Sequence, residues 1–393
     1  MKILYLHQHF QKKAGATRSY EFSKHFLQRG HDVTLITGTG KSERTEEGIE
    51  VLSTATKYNQ KMSKGRRILA FGHFMLGSFW RGLTRRQVDV IYATSTPLTV
   101  GFIGLLLSKI KRIPLVFEVR DVWPDVPVQL GYITNPLLIQ MLTKVEKMIY
   151  NEASEIIALS SAMKERIVAK GIAAEKVTVV ENVANNDLVA KIEVQPCVDK
   201  ELQQWIQDRF VVIHPGTMGE VNGLKHLLTV ASHMKKDKHI GFLLIGEGSE
   251  KAALQEQVTA MQLENVKIVD GMAKESVFSV MKQCNIGAMS VKNERILWDN
   301  SANKFFDFLA VGLPVVLNYQ GWQHEVLQES GAGRGFLYHD IAGYCEFLQD
   351  MAENEQSYHQ AQVASKNLSK RYDVTLLSER VVNLLEKMIE RKK

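Results

Sequence analysis

The sequence predicts an α/β protein made of two doubly wound, Rossmann-like domains. Three observations support this fold class: a length of 393 residues, the alternation of short apolar runs with amphipathic stretches, and a second such series that starts near residue 210. A chain of this length is too long for one ordinary hydrophobic core, so two domains are expected. Strands that alternate with helices form parallel sheets that are covered on both faces.

Each series supplies the strands of one domain. The first contains KILYL, DVTLIT, VDVIYA, PLVFEV, EIIAL and KVTVV, and the second contains FVVIHPG, HIGFLLIG, VKIVDG, NIGAMS and LPVVLN. The segments between them, such as TRSYEFSKHFLQRG and PLLIQMLTKVEKMIYNEA, have the three-and-four spacing of amphipathic helices. A strandless stretch over 184–208 separates the two series, which predicts one domain over 1–185 and another over 186–373.

Composition and charge restrict the function classes. The three cysteines (Cys197, Cys284 and Cys345) are scattered, which suits a reducing cytosol and predicts neither a disulfide framework nor a zinc site. The longest apolar stretch, around 98–107, is about half of a bilayer span, and the first apolar run is too short for a signal peptide. Residues 1–185 carry 26 Lys and Arg against 16 Asp and Glu. This basic half predicts a polyanionic partner: nucleic acid, an anionic membrane surface or a phosphorylated acceptor.

Two glycine-containing loops follow the first strand of each series. The first, KILYLHQHFQKKAGATRSYEF, contains Gly15, and the second, FVVIHPGTMGEVNGLKHLL, contains Gly216, Gly219 and Gly223. Loops of this kind leave backbone N–H groups free at a helix N-terminus, which suits a diphosphate. Neither is a clean G-x-G-x-x-G, and no acidic residue stands where a nicotinamide cofactor needs one. Tight strand-to-helix turns are the other explanation for these glycines.

The stretch DNSANKFFD (299–307) combines two carboxylates with a lysine. Ser301 is expected to cap a helix over 302–311 that ends at Gly312. Lys304 then lies in the first turn, which is unfavourable for a cation unless an anion binds there too. Asp307 follows on roughly the same side, between phenylalanines, where a part-buried carboxylate needs a partner. The alternative is a Lys304–Asp307 ion pair on a solvated face.

The stretch 57–87 mixes eight basic residues with the aromatic residues Phe71, Phe74, Phe79 and Trp80. A basic amphipathic helix with aromatics on its other face is typical of proteins that bind an anionic membrane interface. The alternative is an ordinary packing helix whose apolar residues all point inward.

Several spaced motifs then identify a family. The pattern D-x7-D followed by FLAVGLPVV resembles the E-x7-E signature of family 4 of the retaining glycosyltransferases, whose proteins have the GT-B fold. RDVWPD, within FEVRDVWPDVPVQLG, is similar to a bacterial subgroup that includes L-fucosamine-type transferases and builds surface polysaccharides such as O-antigen or capsule. Four further segments resemble family motifs and follow in the same order as in the family: GATRSYEFSKHFLQRGHDVTLIT, SSAMKERIVAKGIAAEKVTVVEN, LLIGEGSEKAALQ and VDGMAKESV. The resemblance implies two domains facing each other across a cleft, with a helix over about 374–391 packing back on the first.

The resemblance also implies roles for matching donor-side residues. Asp299 would contact the donor sugar and Asp307 the ribose. The diphosphate would be held by the helix tip and the second glycine loop, that is by Asn303, Lys304, Gly216 and Thr217. Glu247 and Met272 lie where the family reads the nucleoside. Both signature glutamates are aspartates in this chain.

On the acceptor side, the histidine that many relatives carry is replaced by Arg120 and Asp121. We expect Asp121 to accept a hydrogen bond or proton from the incoming hydroxyl, and Arg120 to face phosphate. The second glycine loop lacks the Arg and Lys of many relatives, so other residues are expected to meet the phosphate charge. The cationic candidates on the donor side are Lys304, Arg18 and Arg295. Gly15, in the first glycine loop, is a further donor-side candidate.

These expectations describe a cytoplasmic retaining glycosyltransferase, peripheral on the inner face of the cytoplasmic membrane. It would move a sugar from a UDP-sugar to a lipid-diphosphate-linked saccharide. No metal is expected, because N–H groups and cations can meet the diphosphate charge and no D-x-D motif is present to hold one. No other cofactor and no nucleic-acid partner is expected either. Two other functions stay open. A nucleotide-sugar epimerase or hydrolase would share the donor site, and a non-catalytic sensor would only bind the donor.

Overall fold

The computed structural model describes residues 1–11, 17–56, 64–95, 97–197 and 199–391, with the backbone alone over 64–68. The chain divides into two compact units. One contains Met1–Glu181 together with Val374–Lys393, and the other contains Asn182–Asp373. The first unit therefore ends at Glu181, a few residues before the expected 185.

The first unit is built around one sheet. Its strands are β1 (Lys2–Leu6), β2 (Asp32–Thr37), β3 (Glu43–Arg44), β4 (Glu50–Ser53), β5 (Val90–Thr94), β6 (Leu115–Val119), β7 (Glu155–Ala158) and β8 (Val177–Val179). They lie in the order β3-β4-β2-β1-β5-β6-β7-β8. Neighbours run parallel except β3 and β4. Since β1 lies between β2 and β5, the direction of the connections reverses beside it.

Helices cover this sheet. They are α1 (Arg18–Gln28), α2 (Lys64–Thr84), α3 (Thr99–Lys111), α4 (Asp125–Gln129), α5 (Pro136–Glu152) and α6 (Ser161–Ala169). The start of α5 follows from its sequence: the Asn135 side chain accepts hydrogen bonds from the backbone N of Leu137 (3.0 Å) and Leu138 (3.1 Å), and Pro136 takes the first position, where no N–H is needed. Residues such as Ile91 and Phe117 are fully buried between sheet and helices.

The second unit repeats this arrangement on a smaller sheet. Its strands are β9 (Phe210–Pro215), β10 (Ile240–Ile245), β11 (Val266–Val269), β12 (Ile286–Met289), β13 (Val315–Leu317) and β14 (Gly333–Gly335). All pairs are parallel, in the order β11-β10-β9-β12-β13-β14. Its helices are α7 (Asn186–Lys191), α8 (Lys200–Gln207), α9 (Lys225–His233), α10 (Lys251–Ala260), α11 (Lys274–Met281), α12 (Asn303–Val311), α13 (Trp322–Ser330), α14 (Ile341–Glu353) and α15 (Glu355–Arg371). Two doubly wound sheets, parallel except for the β3–β4 pair, confirm the predicted fold class.

The helix that follows the second unit, α16 (Val374–Glu390), packs in the first unit against α1. Its buried face includes Leu377, Val381 and Leu385. Polar contacts flank this face: Glu379 accepts a hydrogen bond from His25 (2.9 Å), and His31 lies 3.1 Å from Glu386. One face of α1 is thus covered by a helix from the far end of the chain.

Candidate functional site

In the second unit, the direction of the strand connections reverses at β9. β10 lies on one side of β9 and β12 on the other, so the chain leaves toward one edge of the sheet and returns toward the opposite edge. At such a point the loops after neighbouring strands diverge, and a crevice opens at the carboxyl ends of the strands. The paired register of β9 and β12 ends at Ile213–Gly287, which places the divergence one residue before His214.

Two glycine loops line this crevice with closely packed backbone. Gly216, after β9, has a φ of +131°, a region that side chains rarely adopt. A Cβ on Gly246, after β10, would overlap the Gly216 carbonyl oxygen. The backbone N of Met218 donates to the Glu247 carbonyl at 2.8 Å. The structure therefore brings Gly216 and its neighbour Thr217, both exposed, next to the loop that carries Glu247.

Glu247 connects this loop to the one after β11. Its carboxylate accepts hydrogen bonds from Lys251 (2.7 Å) and from the backbone N of Gly271 (3.2 Å). These two bonds, with Lys251 first, lower the pKa of Glu247. Met272 comes next and lines a cavity of about 800 Å³ that also borders Cys197. The two residues expected at the nucleoside therefore lie on adjacent loops, and Met272, but not Glu247, borders this cavity.

The predicted helix of DNSANKFFD is α12, but its cap is not Ser301. α12 begins at Asn303 after Ala302, which offers no side-chain cap. The Asn300 side chain accepts from the backbone N of Ala302 (3.2 Å) and so forms a turn just before the helix. At the other end, Gly312 adopts the left-handed conformation, as expected. The helix N-terminus thus keeps free N–H groups beside Lys304, its second residue.

Lys304 contacts the glycine loop and a histidine. Its Nζ lies 2.9 Å from His214 Nε2, and a Cβ on Gly216 would stand 3.3 Å from the same nitrogen. Lys304 is still partly exposed, yet its surroundings are dense enough that burial lowers its pKa to about 8. A cation of this kind gains from a bound anion more than a solvated lysine does.

Asp307 pairs with a residue other than Lys304, the partner considered in the sequence analysis. It forms an ion pair with Lys274 of α11, whose ammonium also lies 4.8 Å from the centre of the Phe278 ring. Burial raises the pKa of Asp307, while Lys274 acts in the opposite direction. A Lys304–Asp307 ion pair on a solvated face is therefore wrong, and Lys274 is a residue that the sequence analysis missed.

The remaining donor-side candidates lie around the start of α12. Asp299 is buried and ends a 3-10 helix, Arg295–Asp299. Arg295 is exposed, with its guanidinium carbon 4.3 Å from the centre of the Trp298 ring. Asn303 is exposed at the first position of α12. Of these, Asn303 offers its backbone N–H to the same region as Lys304.

In the first unit, Arg18 has a structural role instead of the expected phosphate contact. Its Nε donates to Glu118 at 2.8 Å, and its Nη2 donates to the Val180 carbonyl at 3.0 Å. Both side chains of the ion pair are 1% exposed. Glu118 also accepts from the hydroxyls of Tyr92 (2.7 Å) and Thr94 (2.8 Å). The Arg18 guanidinium is therefore enclosed by hydrogen-bond acceptors. A buried cation needs such partners, because burial without them would cost several kcal/mol.

The RDVWPD segment follows β6. Arg120 is partly exposed, and its backbone N donates to Ser95 at 2.8 Å. Burial raises the pKa of Asp121, an effect that the Arg120 cation opposes. Asp125 is engaged by Lys170 at 2.9 Å. Of the two carboxylates in this segment, Asp121 is thus the better candidate for proton transfer. Gly15, in the first glycine loop, lies outside the described residues.

Family comparison fits both units. The family model of the Glycosyl transferase 4-like domain matches residues 14–183, and that of the Glycosyl transferases group 1 matches residues 209–354. Together they span most of the chain.

The chain belongs to the glycosyltransferases.

Relatives of this glycosyltransferase agree with its fold. It is 22% identical to an Escherichia coli (strain K12) protein provisionally named colanic acid biosynthesis glycosyl transferase WcaI. The similarity extends over 306 residues, which are 72% of this chain and 74% of the relative. The crystal structure of Anabaena Alr3699/HepE with UDP-glucose has a TM-score of 0.75 at 19% identity, covering 98% of this chain and all of that one. WaaG, a glycosyltransferase involved in lipopolysaccharide biosynthesis, has a TM-score of 0.69 at 12% identity, covering 98% and 99%. The fold of the glycosyltransferase is GT-B.

Across the residues that the structure describes, no three His, Cys, Asp or Glu side chains are grouped so as to hold a metal ion. Within the same ranges, no helix combines the length and the apolar character that crossing a membrane needs.

The apolar surface of α2 differs from the expected one. Phe74 is buried in the core, and Phe71 and Phe79 are partly covered, so among the described aromatic residues of α2 Trp80 is the mainly exposed one. Which aromatic residues of α2 point inward depends on their spacing along the helix, and not on how many aromatic residues the stretch contains. Two leucines extend the exposed surface. Leu69 is 74% exposed, Leu76 66% and Trp80 61%, and their spacing of seven and four puts them on one side of the helix. We call these three residues the α2 stripe.

The basic residues of this stretch are described only in part. Lys57 and Lys61 lie outside the described residues, and so do the side chains of Lys64, Arg66 and Arg67. Arg85, near the other end, forms an ion pair with Glu50.

Proposed function

We propose that this protein is a retaining glycosyltransferase that moves a sugar from a UDP-sugar to a lipid-diphosphate-linked saccharide in bacterial surface-polysaccharide synthesis. One observation carries the donor assignment: the Lys304 ammonium lies at the uncapped start of α12 and against the Gly216 loop. Its family supports glycosyl transfer, and HepE, of the same fold, has been crystallised with UDP-glucose.

The diphosphate is the part of the donor that this arrangement fits best. Free N–H groups and the positive end of a helix attract phosphate oxygens. Lys304 adds a positive charge at the same place. Among the described residues its hydrogen-bond partner is the neutral ring of His214, whereas Asp307 pairs with Lys274. In this proposal the nucleoside lies toward Glu247 and Met272, the ribose is held by Asp307, and the transferred sugar meets Asp299.

The chemistry then asks for electrostatic positioning. Transfer from a nucleotide-sugar separates a diphosphate leaving group from a sugar that develops positive charge. Preorganised cations and N–H groups stabilise the leaving group without reorganisation. Lys304 and the start of α12 supply these groups, so the proposal needs no resident cofactor.

The acceptor is assigned to the RDVWPD segment of the first unit. A carboxylate with a raised pKa is a better base at neutral pH than an ordinary one, and burial moves Asp121 in this direction. Arg120 supplies a cation for a phosphorylated acceptor. The provisional name of WcaI and the role of WaaG in lipopolysaccharide synthesis support a saccharide acceptor in surface-polysaccharide synthesis.

A lipid-linked acceptor requires access to the membrane, and we assign this to the α2 stripe. Exposed leucines and a tryptophan on one helical face partition into a membrane interface. The excess of basic residues over 1–185 adds attraction to anionic lipids of about 1 kcal/mol per cation near the surface. The protein would accordingly be peripheral on the inner face of the cytoplasmic membrane.

The direct test uses a panel of UDP-, GDP-, ADP-, CDP- and dTDP-sugars, each with and without a bacterial membrane lipid extract. The expected result is that nucleoside diphosphate appears only when both a UDP-sugar and the extract are present, with sugar attached to lipid. The anomeric configuration of the product, read by NMR, should equal that of the donor.

Other outcomes identify the alternatives. Release of UDP without lipid indicates a hydrolase, and a changed sugar without UDP release indicates an epimerase. Binding, seen as a raised Tm, with neither product indicates a sensor. An inverted anomeric centre would show that the transfer is not retaining.

A further inference from the structure

His214 connects two elements of the second unit. It is the fifth residue of β9, is 1% exposed, and stands where β9 and β12 diverge. Its Nδ1 lies 2.9 Å from the carbonyl oxygen of Ala288 on β12. Its Nε2 lies 2.9 Å from the Lys304 ammonium at the start of α12. The ring thus bridges the divergence and reaches the proposed diphosphate site.

The two contacts define which nitrogen carries the proton. A carbonyl oxygen can only accept, so Nδ1 must donate to Ala288. An ammonium can only donate, so Nε2 must offer its lone pair to Lys304. Burial, followed by the Lys304 charge, lowers the pKa of His214 well below its usual range, which agrees with a neutral ring. His214 is therefore a fixed acceptor and does not act as a second cation.

We propose that His214 is a positioning residue, which holds the Lys304 ammonium against the Gly216 loop so that its other two N–H bonds face the donor diphosphate. This inference rests on the proposed function, because it assumes that Lys304 binds the diphosphate. Lys304 is a flexible side chain on a helix that also carries Asp307, one turn further on. Without the ring acceptor, the ammonium is free to turn toward that carboxylate and away from the loop.

Two substitutions separate the halves of the ring. In His214→Asn the side-chain amide stands near the position of Nδ1, so it can donate to Ala288 but cannot reach Lys304. In His214→Gln the amide oxygen stands near the position of Nε2, so it can accept from Lys304 but leaves Ala288 without its donor. Both replace the ring with a smaller polar group. A general packing defect should therefore affect both, whereas the proposal predicts that they differ.

The experiment measures calorimetric affinities for UDP, uridine and inorganic pyrophosphate. His214→Asn should weaken UDP and pyrophosphate by about tenfold or more, the loss expected for a hydrogen bond to a charged group, and leave uridine unchanged. His214→Gln should restore most of the UDP affinity. Equal losses for UDP and uridine, or equal losses in both variants, would overturn the positioning role, and so would wild-type affinity in His214→Asn.

Lys304→Met distinguishes a failure of this inference from a failure of the proposed function. If Lys304→Met binds UDP and pyrophosphate normally, the diphosphate is not at Lys304 and the donor assignment fails. If Lys304→Met loses both while His214→Asn does not, the donor assignment stands and only the role of His214 is wrong. In the double variant, His214→Asn should add no further loss to that of Lys304→Met, because the contact is already gone. Additive losses would contradict the proposal.

Discussion

The Asp307 carboxylate on α12 is paired with Lys274 on α11, and Lys304, three residues before Asp307 on the same helix, is paired with His214. Two neighbouring charges of opposite sign thus have separate partners. The ammonium of Lys304 keeps its charge for an anion, and the carboxylate stays at the surface of the crevice. This separation suits a ligand that has both a diphosphate and hydroxyl groups.

Asp307 should act on the nucleoside, and Asp299 should not. Asp307→Asn is expected to weaken uridine and UDP by a similar factor of about ten, because a lost hydrogen bond to a charged group on the ribose affects both ligands. Asp299→Asn should bind UDP as the wild type does but lose transfer. Calorimetry and the transfer assay measure these effects. Normal UDP binding by both variants would mean that the pocket is misplaced.

The affinity for UDP should fall at alkaline pH. The pKa of Lys304 in the free protein is about 8. The side chain is therefore mostly protonated and charged below this pH, and it progressively loses its proton and its charge above it. UDP affinity is expected to be flat from pH 6.5 to 7.5 and to fall above 8 by up to about tenfold per pH unit. The other groups facing Lys304 are His214, which stays neutral, and Asp307 with its partner Lys274.

Lys304→Arg provides the control for this pH dependence. A guanidinium stays charged across the range, so the fall above pH 8 should disappear even if the affinity at neutral pH is lower. Uridine, measured in parallel, reports any titration of the base itself. A fall of the same size in the arginine variant would assign the titration to another group.

Asp121 should be needed for transfer and not for donor binding. Asp121→Asn removes the base and keeps the shape of the side chain. Transfer is expected to fall by about 10² to 10⁴, the usual range for a general base, while UDP affinity and Tm stay near those of the wild type. A near-normal transfer rate in this variant would remove Asp121 from the mechanism.

Arg18 should matter for folding and not for the diphosphate. Arg18→Met leaves the Glu118 carboxylate buried and unpaired, so the free energy of unfolding is expected to drop by about 3–5 kcal/mol. Urea denaturation measures this loss. Arg18→Met combined with Glu118→Gln should lose less, because no unpaired charge remains. The UDP affinity of the folded fraction should be unchanged. A loss of UDP affinity without a loss of stability would instead indicate that Arg18 binds the donor.

The membrane contact should have a salt-sensitive and a salt-resistant part. Flotation with anionic liposomes is expected to show strong binding at low salt and partial release at high salt, since charge attraction is screened within about 10 Å at 0.1 M. Arg66→Glu with Arg67→Glu should reduce the salt-sensitive part. Leu76→Ser with Trp80→Ser should abolish the salt-resistant part. Leu376→Ser, at a leucine of α16 that is 55% exposed, is the matched control and should change neither.

Much of the fold could be predicted from the sequence because buried parallel strands are continuous apolar runs. All eleven predicted strands are present. The strands that escaped prediction, β3, β4 and β14, are short and lack such runs: β14 is Gly-Arg-Gly. A segment of this kind becomes a strand only because a neighbouring strand offers backbone hydrogen bonds.

The candidate site could be predicted in part, where its residues are close in sequence. Lys304 and Asp307 belong to one helix, and their motif indicates their position. Their partners are distant: His214 is 90 residues from Lys304, and Lys274 is 33 residues from Asp307. Which polar groups meet across such separations depends on how strands diverge and helices pack, and no local spacing contains this information. Arg18 shows the same limit, because its burial depends on Glu118, 100 residues away.

The position of α16 has a consequence for biosynthesis. This helix covers α1 in the first unit, yet the ribosome makes it only after the whole of the second unit, Asn182–Asp373. Domains generally fold in the order in which they emerge, but the α1 surface that α16 covers stays open until the second unit has been made. The second unit can therefore be complete before the first, and a nascent chain that stalls before Val374 leaves exposed the surface that Leu377, Val381 and Leu385 would cover.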